Sequence, residues 1–264
     1  MQDLRISFIQ TDLFWRDSSS NLKNFDKKIN QIEEDTDIIV LPEMFNTGFV
    51  VEPETLDDQA AQDGHEWMKM IAARTSSVVC GSMIVHENGN YFNRFFWVSP
   101  NGNTETYDKR HLFSFGGEDK HFSSGKDYII IDYKGWKIKP LICYDLRFPV
   151  WSKNTYENNE FSYDLLIYVA NWPAARSYVW KSLLVARALE NQAFVVGVNR
   201  IGKDGRETPY DGFSGVIEPK GEWISEEVNN IESVQTIKLS KEKLVKFRKK
   251  FNVALDWDKF DLHY

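Results

Sequence analysis

Apolar and polar positions alternate along the chain with two different periods, one typical of strands and one typical of helices. Residues 4–10 (LRISFIQ) and 37–43 (DIIVLPE) are short apolar runs that predict strands, the second of them buried. Between them, residues 21–34 repeat apolar side chains every three or four positions, which predicts a helix. The same periods predict further elements in the first half: a helix over 55–74 and strands over 77–85 and 93–102.

The second half continues this alternation. Residues 128–145 predict a hairpin that turns at Lys134 and Gly135. Such mixing of strands and helices indicates a layered α/β architecture. Because no low-complexity linker, Pro/Gly-rich stretch or internal repeat interrupts the chain, we expect residues 1–264 to form a single domain. The remaining elements predicted here are strands over 164–170, 194–200 and 212–222 and a helix over 178–192.

Composition and charge narrow the classes of partner. The chain has 264 residues, of which 42% are hydrophobic, and its 32 Lys and Arg are dispersed among 39 Asp and Glu for a net charge of −7. Dispersed charge of this sign argues against a nucleic-acid partner. The longest basic cluster, residues 246–250 (KFRKK), is typical of the solvated face of a C-terminal helix.

The sequence also argues against membrane and disulfide classes. No apolar run reaches the roughly 20 residues that a membrane span needs. Asp3 and Arg5 interrupt the N-terminus where a signal peptide would be apolar, so we expect a cytoplasmic protein with no membrane partner. Two cysteines in that compartment argue against a disulfide framework, and no Cys and His spacing resembles a metal site.

Three reactive side chains stand at or near the ends of predicted strands. Glu43 closes VLPE, Lys109 lies in ETYDKRHLF and Cys143 closes PLIC. A rigid strand fixes such a side chain while the following loop leaves it accessible. Each residue alone has an ordinary alternative, since Glu and Lys are usually solvated and Cys is often a small buried hydrophobe. Cys80, inside VVCGS, fits that buried alternative.

Together the three residues form a chemical set that suffices for acyl transfer. A thiol needs a base to become a thiolate, and a carboxylate partly removed from water can serve as that base. A fixed ammonium can stabilise the oxyanion that forms when the thiolate attacks a carbonyl. No His is required for this chemistry.

The segments LPEMFNTGF, YDKRHLF followed by GGE, and LICYDLRFP, in that order, resemble the nitrilase superfamily of carbon-nitrogen hydrolases. The later segments NWPAARS and ARALENQAFV resemble its omega-amidase branch. The resemblance implies Glu43 as general base, Lys109 as oxyanion-stabilising ammonium and Cys143 as nucleophile. It further implies that Glu118 positions the substrate amide or assists its protonation, and that the backbone N–H of Tyr144 is a second oxyanion donor.

The same resemblance implies the fold, the assembly and the cofactor requirement. We expect a four-layer αββα sandwich of the nitrilase type, a homodimer, and no metal or organic cofactor. Residues 240–264 are expected to form either an arm over the partner subunit or an edge helix. Asp145 and Arg147 are expected to brace the turn behind Cys143 by ion pairing, with contact to the substrate as the alternative.

The omega-amidase branch implies a small-molecule substrate, a terminal monoamide of a short dicarboxylic acid such as 2-oxoglutaramate or 2-oxosuccinamate. The distal carboxylate of such a substrate needs a cation. Arg176 is the candidate, although an exposed residue at a helix start is the alternative, and Phe45, Trp172 and Tyr210 are the candidate pocket walls. Two other functions stay open: hydrolysis of a carbamoyl amine or N-carbamoyl amino acid within the same superfamily, and a catalytically idle binding scaffold.

Overall fold

Two β-sheets stack face to face in the computed structural model, which describes residues 1–57 and 59–262. Within those residues the first sheet has six strands, in the spatial order β15 (Ser233–Leu239), β1 (Leu4–Gln10), β2 (Ile38–Val40), β3 (Val78–Glu87), β4 (Asn90–Val98) and β5 (Thr104–Asp108). The three neighbouring strands β1, β2 and β3 run parallel, and the outer pairs run antiparallel.

The second sheet has three parallel strands at its centre and antiparallel strands at its margins. The hairpin predicted over 128–145 turns at Lys134 and Gly135, whose φ angles of 49° and 76° match the turn that closes a two-residue hairpin. Its strands are β12 (Ile201–Lys203), β13 (Pro209–Ile217), β11 (Phe194–Asn199), β10 (Leu165–Ala170), β7 (Trp136–Ile142) and β6 (Ile131–Tyr133), with β14 (Val228–Asn229) on β13. A separate short hairpin joins β8 (Tyr156–Glu157) and β9 (Glu160–Phe161).

Helices cover the outer faces of both sheets. On the first sheet, two helices supply Phe25, Trp67 and Ile71 to an apolar cluster with the strands. On the second sheet, another helix supplies Trp180, Leu184 and Ala188 to the apolar core. The arrangement is the four-layer αββα sandwich predicted above, so that prediction is confirmed. The helices are α1 (Ser18–Ile29), α2 (Gln59–Thr75), α3 (Pro149–Ser152), α4 (Ser177–Asn191) and α5 (Lys241–Lys250).

The central strands are apolar on both faces because one face packs against the other sheet and the opposite face packs against helices. In β2, Ile38 and Val40 join the cluster between the sheets, whereas Ile39 joins the cluster under α1 and α2. Successive side chains of a strand point to opposite faces, so an uninterrupted apolar run is what such a strand requires. Cys80 of β3 faces the inter-sheet core and is fully buried, as predicted.

Two predicted helices differ from the structure at their ends. The helix predicted over 21–34 begins at Ser18, because Asp17 accepts a hydrogen bond from the Ser20 N–H and caps it, and it ends at Ile29. The helix predicted from 55 begins at Gln59 instead, since Thr55 ends a separate 3-10 turn. Gly64 lies inside α2 where the helix packs closely on β3, since a Cβ there would lie 2.4 Å from the sulfur of Met83.

The last helix packs onto the second sheet of its own chain. Arg248 is buried, and its guanidinium donates to the Asp164 carboxylate at 2.7 Å and to the carbonyls of Gln192 and Tyr163, each at 2.9 Å. Lys241 pairs with the same carboxylate. The basic segment 246–250 is therefore an exposed helix face, as predicted, except for Arg248. Among the described residues, no helix is long and apolar enough to cross a membrane.

Replacing Arg248 tests this anchor. Arg248→Ala should lower the free energy of unfolding by about 3 kcal/mol, because it removes one partner of a buried ion pair and leaves buried carbonyls without a donor. Urea denaturation would measure the change. The control is Lys246→Ala on the same helix, which breaks an exposed ion pair with Glu242 and should change stability little. Equal effects of the two substitutions would contradict the role assigned to Arg248.

Candidate active site

Glu43 lies at the bottom of the site, three residues after β2 ends. Its carboxylate is fully buried. Oε1 accepts hydrogen bonds from Lys109 Nζ at 2.9 Å and Asn93 Nδ2 at 2.8 Å, and Oε2 accepts one from the Asn171 N–H at 2.7 Å. A buried carboxylate is stable only with such partners. The next residue, Met44, has φ 45°, so the chain turns sharply away directly after the carboxylate.

Lys109 directly follows β5 and joins two carboxylates. Its ammonium lies 2.9 Å from Glu43 Oε1 and 2.8 Å from Glu118 Oε2, and all three side chains are fully buried. Burial by itself lowers the pKa of Lys109, but the carboxylates of Glu118 and Glu43 outweigh burial and raise that pKa. The lysine therefore carries a fixed positive charge at neutral pH.

Glu118 starts a 3-10 turn (Glu118–Lys120) on the far side of Lys109. Besides Lys109, it accepts hydrogen bonds from the Phe113 N–H at 2.6 Å and from Asn93 Nδ2 at 3.1 Å. Burial raises the pKa of Glu118, and Lys109 only partly offsets this. Asn93 thus donates to both carboxylates and fixes their relative positions.

Cys143 directly follows β7 and opens a 3-10 turn, Cys143–Arg147. Its φ of 43° lies in the left-handed region, which a non-glycine residue adopts at a cost. The Sγ donates to the carbonyl oxygen of Asn171 at 3.8 Å. Burial raises the pKa of the Cys143 thiol, and the charge of Glu43 raises it further while Lys109 opposes both. The resting thiol is therefore protonated at neutral pH and faces a carboxylate.

Asp145 holds this turn in place. Its carboxylate accepts hydrogen bonds from the Ile142 N–H at 3.0 Å, the Tyr107 hydroxyl at 2.8 Å and the His111 N–H at 3.0 Å. The predicted bracing role of Asp145 is confirmed, but the predicted ion pair with Arg147 is wrong. No such pair forms among the described residues, because the Arg147 guanidinium lies over the Trp172 ring at 5.1 Å instead.

A cavity of about 260 Å³ opens directly above Cys143 and Lys109. Four more of the residues predicted to form the site line it: Tyr144, Arg176, Trp172 and Tyr210. Glu43 and Glu118 lie behind Lys109 and are not part of the lining. The other lining residues are Phe49, Phe113, Phe115, Gly116, Arg147, Asn171, Pro173, Asp204, Arg206 and Thr208.

The wall of this cavity is positively charged. Arg147 and Arg176 form no ion pair with an acidic side chain in residues 1–57 and 59–262, and the guanidinium of Arg176 lies over the Phe113 ring at 5.4 Å. Arg206, in contrast, pairs with Glu52. The carboxylate of Asp204 is occupied by the Tyr210 hydroxyl at 2.9 Å, and burial followed by the Asp204 charge raises the pKa of Tyr210.

Phe45 does not line the cavity, so its prediction as a pocket wall is wrong. It lies in the core under α1 and α2, with its ring centroid 5.6 Å from Phe25 and 5.8 Å from Trp67. The physical reason is the left-handed conformation of Met44, which sends the chain back toward the helices after Glu43. Closeness in sequence to Glu43 therefore did not mean closeness to the cavity.

Several residues of the site were not assigned to it from the sequence, and three of them carry its geometry or charge: Asn93, Asn171 and Arg147. Asn171 had a usable signal, because it directly follows the apolar run LLIYVA, as Cys143 follows PLI. Asn93 had none, since an Asn within a predicted strand is ordinarily a surface residue. Arg147 was assigned to the turn because it is close in sequence to Asp145.

The arrangement places a thiol and a fixed ammonium in the lining of one small cavity, with the Glu43 carboxylate buried directly behind the ammonium. These are the groups that acyl transfer needs. In the described part of the chain, no three His, Cys, Asp or Glu side chains are grouped as a metal site would require.

Comparison with known proteins agrees with this chemistry. Two relatives are the omega-amidase YafV of Escherichia coli, 42% identical over 262 residues, and the 2-oxoglutaramate amidase of Bacillus subtilis, 33% identical over 226 residues. The first alignment covers 99% of this chain and 100% of that protein, and the second covers 84% and 85%.

Solved structures give the same relationship. A CN-hydrolase superfamily protein of Xanthomonas campestris, with an arsenic adduct in its active site, is 38% identical and superposes with a TM-score of 0.95 over 100% of both chains. An amidase of Nesterenkonia shares the fold, with a TM-score of 0.80 at 21% identity over 94% of both chains. Residues 5–249 match the model of the carbon-nitrogen hydrolase family. The chain therefore belongs to the carbon-nitrogen hydrolase family.

Proposed function

We propose that this protein is an omega-amidase, which hydrolyses the terminal amide of a short dicarboxylic monoamide to the acid and ammonia. 2-Oxoglutaramate and 2-oxosuccinamate are the substrates proposed. The observation that carries the proposal is that Cys143 and Lys109 lie at the floor of a cavity whose wall presents unpaired guanidinium groups. The names of the Escherichia coli and Bacillus subtilis relatives support the same reaction.

In the first half of the proposed reaction, Glu43 accepts the proton of Cys143 as the sulfur attacks the amide carbonyl. Lys109 and the backbone N–H of Tyr144 stabilise the oxyanion that develops. Glu43 then returns the proton to the amide nitrogen, the carbon–nitrogen bond breaks, and ammonia leaves. The raised pKa of the Cys143 thiol supports this order, because the sulfur holds its proton until substrate arrives.

In the second half, the thioester on Cys143 is hydrolysed. Glu43 takes a proton from water, the resulting hydroxide attacks the thioester carbonyl, and the proton returns to the sulfur as the acid leaves. Glu118 keeps Lys109 aimed at the oxyanion through the hydrogen bonds that both of its carboxylate oxygens accept from the ammonium. No metal or organic cofactor enters either half.

Substrate choice follows from the cavity wall. A volume of about 260 Å³ admits a small linear amide, and Trp172 and Tyr210 provide flat walls beside it. We assign the distal carboxylate to Arg176, with Arg147 as a second cation on the same wall. A guanidinium that has no acidic partner in the free protein is available to bind a carboxylate without breaking an ion pair.

Ammonia release from 2-oxoglutaramate tests the reaction. The wild-type protein should release ammonia, and Cys143→Ala should release none while keeping the wild-type melting temperature, because only the nucleophile is removed. An enzyme-coupled assay would measure ammonia release by both proteins, and thermal unfolding would compare their melting temperatures. A panel of carbamoyl amines and N-carbamoyl amino acids is the comparison. Faster turnover of that panel would overturn the substrate assignment, and no turnover of any amide would favour an idle binding scaffold.

Arg176→Ala tests the carboxylate contact. The substitution should raise KM for 2-oxoglutaramate about tenfold or more, because it removes a charge-assisted hydrogen bond, and should leave kcat nearly unchanged. A neutral amide of the same length should show no such rise. The control is Arg206→Ala, since Arg206 already pairs with Glu52 at the same cavity. A matching loss on the neutral amide would mean that Arg176 shapes the cavity and does not bind the carboxylate.

We further propose that residues 1–264 form one domain that acts as a cytoplasmic homodimer. Support for one domain comes from β15, near the C-terminus, which pairs with β1 at the N-terminus, and from α5, which packs on its own chain. The cytoplasm would keep the nucleophilic thiol reduced. Support for the homodimer comes from a partly exposed apolar patch, named here the Val150 patch: Tyr128, Val150, Leu255, Phe260 and Leu262.

Light scattering in solution tests the assembly. The wild type should have about twice the mass of one 30.8 kDa chain, and Val150→Glu should lower that mass because it places a charge in the proposed interface. The mass of a single chain for the wild type would contradict the homodimer.

A further inference from the structure

The reacting groups come from both sheets of the sandwich. Glu43 and Lys109 follow β2 and β5 of the first sheet, whereas Cys143 follows β7 of the second. The distance between base and nucleophile therefore depends on how the two sheets are held together at this end. Positioning of this kind decides rates, because misplacement of a reacting group by about 1 Å can cost roughly a hundredfold.

Asn171 joins the two sheets at this point. It follows β10, which pairs with β7, so its backbone lies beside Cys143. Its N–H donates to Glu43 Oε2 and its Nδ2 donates to the Glu43 backbone carbonyl, each at 2.7 Å. Its own carbonyl oxygen accepts from Cys143 Sγ at 3.8 Å. One residue thus contacts the base through its N–H and its side-chain amide, and the nucleophile through its carbonyl oxygen.

Asn171 is itself held from behind. The next residue, Trp172, donates its N–H to Asn199 Oδ1 at 2.8 Å and accepts from Asn199 Nδ2 at 3.0 Å. Asn199 ends β11, the strand beside β10. The segment that carries Asn171 is therefore fixed to the edge of the second sheet and does not depend on Glu43 for its position.

The two oxygens of Glu43 have different partners. Oε1 is occupied by Lys109 and Asn93, which both belong to the first sheet. Oε2 accepts a hydrogen bond from the Asn171 N–H at 2.7 Å and a longer one from Asn171 Nδ2 at 3.5 Å. Oε2 is therefore the oxygen with capacity left to accept a proton, and it lies on the side where Asn171 contacts the thiol.

We propose that Asn171 is a positioning residue of the reaction: from the opposite sheet it holds Glu43 with Oε2 directed at Cys143, so that the thiol proton has a defined acceptor. This inference rests on the proposed function for the identity of the reaction. It does not rest on the substrate, because the thiol and its base are the same for any amide.

Two substitutions test the inference. Asn171→Ala removes the Nδ2 contact with the Glu43 carbonyl and should lower kcat about 10- to 100-fold, as expected for a lost buried hydrogen bond that places a charged group, with KM within about threefold of the wild type. Asn171→Asp keeps the shape but places a carboxylate beside Glu43, and it should lower kcat at least as far. The isosteric variant answers the question even if the alanine variant does not fold.

A second readout needs no substrate. At pH 7, alkylation of Cys143 by iodoacetamide, followed by peptide mapping, should slow about tenfold in Asn171→Ala, because the buried Glu43 carbonyl loses its side-chain donor and no longer holds the carboxylate in place. In a Glu43→Gln background the same substitution should have no further effect, since Asn171 is proposed to act through Glu43. An equal slowing in both backgrounds would overturn this route.

Asn154→Ala is the matched structural control. Asn154 is as buried as Asn171 and bonds to the backbone of Tyr163 and Asn191, away from the cavity. This variant should lower the melting temperature without changing kcat or the alkylation rate. If Asn171→Ala and Asn171→Asp only lower the melting temperature, as the control does, Asn171 is purely structural and the inference is overturned.

The measurements distinguish a failure of this inference from a failure of the proposed function. Failure of the wild type to hydrolyse 2-oxoglutaramate would count against the proposed substrate. The ratio of variant to wild-type kcat, taken on whichever amide the wild type hydrolyses, and the alkylation rates would still decide the role of Asn171.

Discussion

The site depends on the buried ammonium of Lys109, held between the carboxylates of Glu43 and Glu118. Two carboxylates so close together and out of water would repel each other strongly without it. One ammonium for two carboxylates still leaves an excess of negative charge, which contributes to the raised pKa of Glu118. That excess is useful, because a buried region with more carboxylate than ammonium has capacity to take up a proton from a neighbouring thiol.

The sandwich gives this charged cluster its fixed geometry. The first sheet supplies Glu43 and Lys109, the second supplies Cys143, and neutral amide donors occupy the remaining acceptor positions. Because the donors are neutral, they orient the carboxylates without cancelling their charge. The same sheets leave a cavity above the cluster, so that a substrate carbonyl meets groups that are already in place.

The sequence predicts the reactive residues that follow strands, but it does not predict most of the residues that contact them. Glu43, Lys109 and Cys143 were each placed by a strand end, which is a local signal. Phe45 was misplaced because the direction of the chain after Glu43 is set by the backbone conformation of Met44, which no local pattern announces. Asn93 meets Glu43 only through pairing of distant strands and Asn171 only through stacking of the two sheets, at separations of 50 and 128 residues.

The backbone at Cys143, the proposed nucleophile, bears on how the chain could evolve. Cys143, at φ 43°, holds a conformation that suits glycine and costs another residue on the order of 1–3 kcal/mol. Glycine at this position would relieve the strain and remove the sulfur in the same step. Selection for stability and selection for turnover therefore act in opposite directions at residue 143, and a lineage released from the need for the reaction would be free to lose the thiol and gain a firmer fold.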